Sequence, residues 1–238
     1  MSELIYQKNS YIKEFECKVI EIDEVENAVV LDRTAFYIGG GGQPCDKGAL
    51  KTDTDTYVVK KVKKVGKNIN HYIDGSLPKL NEACTGKIDW EHRYKLMRTH
   101  TAMHILCDVV WRDYKAQVTG GDMDCVRGRM DFEFENFDKE LVEEIEKKVN
   151  NEVESKKNIK VNILDREEAF KITNLIRTKI NLLPKEIKEI RIVEIEGLDL
   201  QADGGTHVKN TAEVGKMKIV DYKSKGKINK RIYVELEE

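Results

Sequence analysis

Hydrophobic and polar positions change their rhythm near Ile88. Before that point apolar residues tend to alternate with polar ones, as in Phe15-Glu16-Cys17-Lys18-Val19-Ile20-Glu21-Ile22. A period of two is the spacing of a strand with one buried face. Ala28-Val29-Val30-Leu31, the stretch from Thr56 to Val62 and Asn70-His71-Tyr72-Ile73 read as further strands, and Asp74-Gly75 as a turn. After Ile88 the period lengthens. Asp89 is placed to N-cap a helix from Trp90 to about Trp111, along which Leu96, Met97, Met103, Leu106, Val110 and Trp111 recur at helical spacing. A second helix is predicted from Asp138 through Leu141, Ile145, Val149 and Val153, with Glu and Lys on its other faces. Strands are predicted at 129–135, 159–164, 190–195, 213–220 and 231–236. The pattern predicts an α+β chain. A small β-barrel over residues 1–88 precedes an α+β domain over residues 89–238, whose antiparallel sheet packs against helices.

Composition narrows the class. In 238 residues, 40% are apolar and 35% charged, enough for a packed core under a solvated surface. The net charge of -2 excludes a global polycation, so any nucleic-acid contact must come from local basic patches. Two such runs stand out: Lys60, Lys61, Lys63, Lys64 and Lys67, and later Lys216, Lys218, Lys223, Lys225, Lys227, Lys230 and Arg231. Each reads either as a phosphate contact or as a solvated face. The five cysteines are scattered without a CxxC pair, which speaks for a reducing compartment rather than a disulfide framework. No apolar run approaches the ~20 residues of a membrane span. The chain is expected to be cytoplasmic, with no membrane partner and no obligate protein partner.

Histidines carry the candidate chemistry. His100 and His104 stand four apart on the first predicted helix, so both imidazoles share one face and can share a metal. Such a pair also arises by chance, and Thr101 stands where a metalloprotease would carry its glutamate base. His207 follows Gly204-Gly205, a pair that permits a tight turn between Asp203 and His207. The plain alternative is a turn with a surface histidine. His71 and His92 have no comparable company and read as structural or surface residues.

At four places the sequence resembles one family. RTHTAMHIL, starting at Arg98, resembles the HxxxH segment of the alanyl-tRNA synthetase editing domain and its free-standing AlaX relatives. DGGTHVKNTAEVG, from Asp203, resembles their CGGTHVxxTxEIG segment, and RGRMDFEFENFDKELVEEIEKKVNNEV, from Arg127, their strand-and-helix segment. DRTAFYIGGGGQPCDKG, from Asp32, resembles the TxFYxxGGGQxxDxG loop. The order matches from about Leu31 to Gly215, and the attached glycine loop points to the medium-length AlaX class.

The resemblance implies a zinc-dependent deacylase for mischarged alanine tRNA carrying serine or glycine. It implies zinc ligands at His100, His104 and His207, and at Asp203, where the family most often has Cys. An aspartate oxygen can bind zinc but is a harder donor than thiolate. Zinc could serve to activate water or to anchor the substrate. Gly39, Gly40, Gly41, Gly42 and Thr206 are implied substrate contacts. Gln43 and Thr34 are the implied catalytic-site residues, Thr34 being associated with the serine hydroxyl. Asp46 is expected to order the loop by accepting backbone N–H bonds. A deacylase for Ser-tRNA(Thr) and a zinc-stabilised RNA-binding module without activity stand as alternatives.

Overall fold

The computed structural model describes residues 2–173, 175 and 187–237. The chain divides into two compact units, Met1–Lys95 and Leu96–Glu238.

The first unit is built from eight strands: β1 (Glu3–Leu4), β2 (Glu14–Asp23), β3 (Ala28–Leu31), β4 (Arg33–Thr34), β5 (Gly48–Lys51), β6 (Thr56–Val65), β7 (Asn68–Asp74) and β8 (Ala83–Ile88). Six of them close a barrel in the order β2-β3-β7-β6-β5-β8, every neighbouring pair antiparallel. Alternation predicts the inward set well. Phe15, Cys17 and Val19 of β2 point into a core with Val29, Leu31, Leu50, Val59, Val62 and Ile73. β5 and β8 escape the alternation pattern, because Ala, Gly and Thr dominate them; their pairing with each other and with β2 makes them strands.

Helix α1 (Trp90–Tyr114) spans the boundary between the units. Asp89 caps it as expected, its Oδ1 accepting the His92 N–H at 3.2 Å. From Thr99 to Val110 every residue is buried, so the helix is a core element and not a one-sided surface helix. This burial puts both of its candidate metal ligands out of bulk water.

The second unit continues with β9 (Val118–Asp124), β10 (Arg127–Glu133), α2 (Lys139–Glu154), β11 (Ile159–Asp165), α3 (Arg166–Ala169), β12 (Glu189–Ile195), β13 (Asp199–Ala202), β14 (Met217–Ser224) and β15 (Asn229–Leu236). They form a four-stranded sheet β14-β15-β10-β9 and a three-stranded sheet β11-β12-β13, both antiparallel. In α2, Asp138 accepts the Leu141 N–H at 2.9 Å, and Val142, Ile145, Val149 and Val153 form the buried stripe. Asn150 ties α2 to β14 by exchanging two hydrogen bonds with the Met217 backbone, at 2.8 and 2.9 Å.

One predicted strand needs correction. The stretch 213–220 begins not as a strand but in a single 3₁₀ turn, Thr211–Val214, followed by Gly215, and pairing starts only at Met217. Asn210 accepts the Ala212 N–H, and the Glu213 carboxylate accepts those of Lys209 and Asn210. These local side-chain bonds satisfy the backbone before a ladder can. Among the described residues the protein is sheet-rich with three helices and a closed N-terminal barrel, an arrangement compatible with the expected α+β class. No described helix is long and apolar enough to cross a membrane.

Candidate functional site

The chain between Asp203 and His207 bends at Gly205, whose N–H bonds Asp203 Oδ2, and neither Gly204 nor Gly205 takes a positive φ. β12 and β13 pair antiparallel, and the chain leaving β13 at Ala202 turns through Gly204-Gly205 and returns His207 beside α1. His100 and His104, one turn apart on α1, have ring centroids 5.1 Å apart, and His207 lies 4.3 and 4.7 Å from them. Potential ligand atoms of His100, His104, Asp203 and His207 all fall within 4.8 Å of one another. Asp203 Oδ1 is 3.6 Å from His100 Nε2 and 4.0 Å from His104 Nε2, and Asp203 Oδ2 is 3.0 Å from His207 Nε2.

Outer partners orient these groups. Asp199, buried on β13, accepts from His104 Nδ1 at 2.9 Å and from Gln201 Nε2 at 2.8 Å. With its proton on Nδ1, His104 keeps the Nε2 lone pair for the centre of the cluster. Thr101 Oγ1 lies 3.2 Å from His207 Nδ1 and also accepts the Val208 N–H. Asp203 Oδ2 accepts the Gly205 N–H at 2.7 Å. Arg191 on β12 donates to the Asp203 carbonyl at 2.9 Å, while the Asp203 N–H returns a bond to the Arg191 carbonyl.

The electrostatics fit a cation-binding centre. Burial pulls His100 well below its ordinary pKa and brings His207 down to about 4, with Asp203 pulling the other way. Burial also disfavours charge on His104, but Asp199 outweighs it and raises the pKa. Burial opposes ionisation of Asp203 as well, yet the imidazoles around it, His100 first, hold it well below the usual carboxylate range. Three imidazoles, two of them driven toward the neutral form by burial, and an ionised carboxylate converge on one point and form a donor set for a metal ion.

The glycine loop lies in the first unit. Gly39, Gly40, Gly41 and Gly42 all have positive φ, a backbone that side-chain-bearing residues rarely adopt. Gly40 and Gln43 exchange backbone hydrogen bonds at 2.9 and 3.1 Å, leaving Gly41-Gly42 at the tip of a tight hairpin. Gln43 is buried. Asp46 accepts the Tyr37 N–H, as expected of it, and also pairs with Arg93 in full burial. Arg93 further donates to the Ser10 and Ala35 carbonyls, so one guanidinium clamps three stretches of the unit. Thr34 is fully buried, with Oγ1 2.9 Å from His71 Nε2 and accepting the Phe36 N–H. His71, 0% exposed, is thus a core residue. Thr206 is also fully buried, between Gly205 and His207.

Sequence reasoning missed Arg93, Thr101, Arg191 and Asp199. A helix-borne arginine, a threonine between two histidines and charged residues on strands carry no periodic signal that separates them from surface positions. Only their burial reveals them.

Two family models match the chain. The one described as "Threonyl and Alanyl tRNA synthetase second additional domain" covers residues 190–233, and the one described as "tRNA synthetases class II (A)" covers residues 5–92. Two segments of the chain thus resemble parts of class II tRNA synthetases, and Asp203 and His207 lie in the second of them. The similarity to AlaX-M alanyl-tRNA editing proteins runs end to end: 40% identity to that of Methanosarcina barkeri, covering 99% of each chain, and 42% to that of Saccharolobus solfataricus, covering 98% of each. The alanine–tRNA ligase of Pyrobaculum aerophilum is 38% identical over 91% of this chain but only 25% of its own length. The chain belongs to the AlaX-M family of alanyl-tRNA editing proteins.

Proposed function

We propose that this chain is a trans-editing hydrolase that deacylates mischarged alanine tRNA, Ser-tRNA(Ala) and Gly-tRNA(Ala), with zinc held by His100, His104, His207 and Asp203. The observation that carries the reading is the convergence of these four side chains in a protein related to AlaX-M editing proteins over its whole length. Residues 1–88 serve as the domain bearing the glycine loop and residues 89–238 as the zinc-binding editing domain. When bound, zinc supplies a Lewis acid for ester hydrolysis.

The chain's own residues do the rest. Asp199 and Thr101 hold His104 and His207 in orientation, and the Gly205 N–H holds Asp203. Gly39 to Gly42 let backbone approach the substrate, and Gln43, together with Thr206 beside His207, is assigned to the aminoacyl-tRNA. Thr34 gives selectivity a physical basis. His71 Nδ1 faces the Val29 carbonyl at 3.3 Å, which can only accept, so the proton sits there and Nε2 accepts from Thr34. With its hydrogen committed to His71, Thr34 Oγ1 can only accept. Thr34 Oγ1 already accepts the Phe36 N–H, and a serine hydroxyl that reaches it adds a second donor, which alanine lacks.

The test is deacylation of Ser-tRNA(Ala), Gly-tRNA(Ala) and Ala-tRNA(Ala). Acceleration on Ser-tRNA(Ala) with Ala-tRNA(Ala) spared is expected from Thr34, Gly-tRNA(Ala) reports on discrimination by something other than a hydroxyl, and His104→Ala should lose zinc and turnover together. Equal rates on Ser- and Ala-tRNA(Ala) would remove the selectivity, and no acceleration on any would remove the function. The domain model shared by threonyl and alanyl synthetases makes Ser-tRNA(Thr) the fourth substrate to include. Gln43→Ala should slow hydrolysis at unchanged zinc content; loss of metal would reassign the residue to the metal centre.

A further inference from the structure

The two basic runs differ once folded. In the later run three cations meet carboxylates, Lys218 with Glu237 at 3.2 Å, Lys223 with Asp221 at 2.9 Å and Arg231 with Asp131 at 2.6 and 2.7 Å, while Lys216, Lys225 and Lys227 are exposed. The Lys230 ammonium is buried in bonds to Ser224 and to the Gly226 and Lys227 carbonyls. The earlier run occupies the β6–β7 hairpin and is exposed throughout. Lys60 reaches Asp74 only at 3.9 Å, and the nearby Glu21 carboxylate is taken by Asn68 Nδ2 at 2.9 and 3.0 Å. Among the described residues, no carboxylate lies within ion-pair distance of Lys61, Lys63, Lys64 or Lys67.

The strand geometry adds to this. Register shifts between Val59 and Lys61, and this irregularity leaves Lys60 and Lys61 both exposed instead of alternating. Lys61 and Lys63 then share the face opposite the buried Val62, about 7 Å apart by strand rise. Tyr72, opposite Lys61, sits under its ammonium at 5.5 Å. A chain of net charge -2 thus concentrates uncompensated cations along one hairpin.

We propose that the β6–β7 hairpin is the surface that receives the phosphate backbone of tRNA, and that the later basic run is not. A row of unpaired ammonium groups along an extended strand complements an extended polyanion, and affinity so derived must fall with salt. The proposal rests on the reading of the chain as a tRNA hydrolase. Its test uses uncharged tRNA(Ala), which undergoes no hydrolysis, so binding reports on the hairpin even if deacylation fails.

The full chain carrying Lys61→Gln, Lys63→Gln and Lys64→Gln together is compared with wild type and with a Lys218→Gln, Lys223→Gln control. Binding is measured from about 50 to 200 mM salt. The hairpin variant should bind about tenfold or more weakly at low salt, with the slope of log affinity against log salt reduced by about two to three. Zinc content and urea midpoint should match wild type, and on Ser-tRNA(Ala) KM should rise. The control should keep wild-type affinity and slope. Wild-type binding by the hairpin variant would overturn the proposal. So would an equal loss in the control, or a loss confined to anionic phospholipid vesicles with tRNA binding intact.

Discussion

Asp203 stands where the relatives' pattern most often has cysteine, and its two oxygens face different neighbours. Oδ2 is held by the Gly205 N–H, and Oδ1 is turned toward His100 and His104. A carboxylate so divided can offer one oxygen to a metal while the other fixes the turn. Asp203→Ala should therefore lower zinc affinity by more than the ~10–100-fold that loss of an outer partner such as Asp199 brings, and Asp203→Cys should restore it. Titration against a chromophoric chelator measures both; wild-type affinity in Asp203→Ala would take Asp203 out of the ligand set. His71 makes a different prediction. Burial pushes its pKa down to about 4, against the backbone hydrogen bonds that favour its charge. The unfolded chain takes up a proton below about pH 6.5 that the folded ring refuses until about 4. The stability that the neutral ring contributes is complete above pH 6.5 and is lost as pH falls toward 4, by roughly 3 kcal/mol across that window. Urea midpoints of wild type and His71→Gln at pH 7.5 and 5 check this. The same drop in both would show that His71 is not its source.

At the scale of elements, the β4–β5 connection depends on one buried ion pair. Arg93 and Asp46 are both 0% exposed, and Arg93 also reaches the Ser10 and Ala35 carbonyls. Removing one partner leaves the other charged and buried, which typically costs about 3–5 kcal/mol. Arg93→Met is expected to lower stability by that order, and Arg93→Met with Asp46→Leu to recover part of it, as read from urea unfolding. A loss below about 1 kcal/mol in the single variant would mean that Asp46 is solvated rather than clamped. Element types were legible where one face is apolar: β2, β3 and α2 follow their patterns closely. β9 was illegible, since its Gly120, Gly121, Asp122 and Asp124 disfavour strands, and pairing with β10 alone makes it one. The turn at Thr211–Val214 was misread for the opposite reason, a local capping box overriding an apolar stretch.

For the molecule as a whole, metal removal separates catalysis from stability. The protein has hydrophobic cores that contain none of the four clustered side chains, with Phe15, Leu31 and Ile73 in one and Ile190 and Ile192 in another. Chelation should therefore abolish deacylation while circular dichroism stays essentially unchanged; cooperative unfolding on chelation would mark the metal as structural and favour the RNA-binding module. The sequence by itself determined what the local backbone can do. Helical spacing puts His100 and His104 on one face, Gly204-Gly205 permits the return to His207, and four glycines in a row permit a positive-φ loop that the structure then shows. These are consequences of backbone geometry, which is local. Tertiary structure alone decided that Asp199 and Arg191 on adjacent strands lock the cluster, that His71 sets the polarity of the Thr34 hydroxyl, and that carboxylates pair Lys218, Lys223 and Arg231 of the later basic run but only Lys60 of the earlier one. Those outcomes depend on which side chains become neighbours after burial removes water, and the charge of a lysine or the tautomer of a histidine follows from those neighbours, which no sequence spacing encodes.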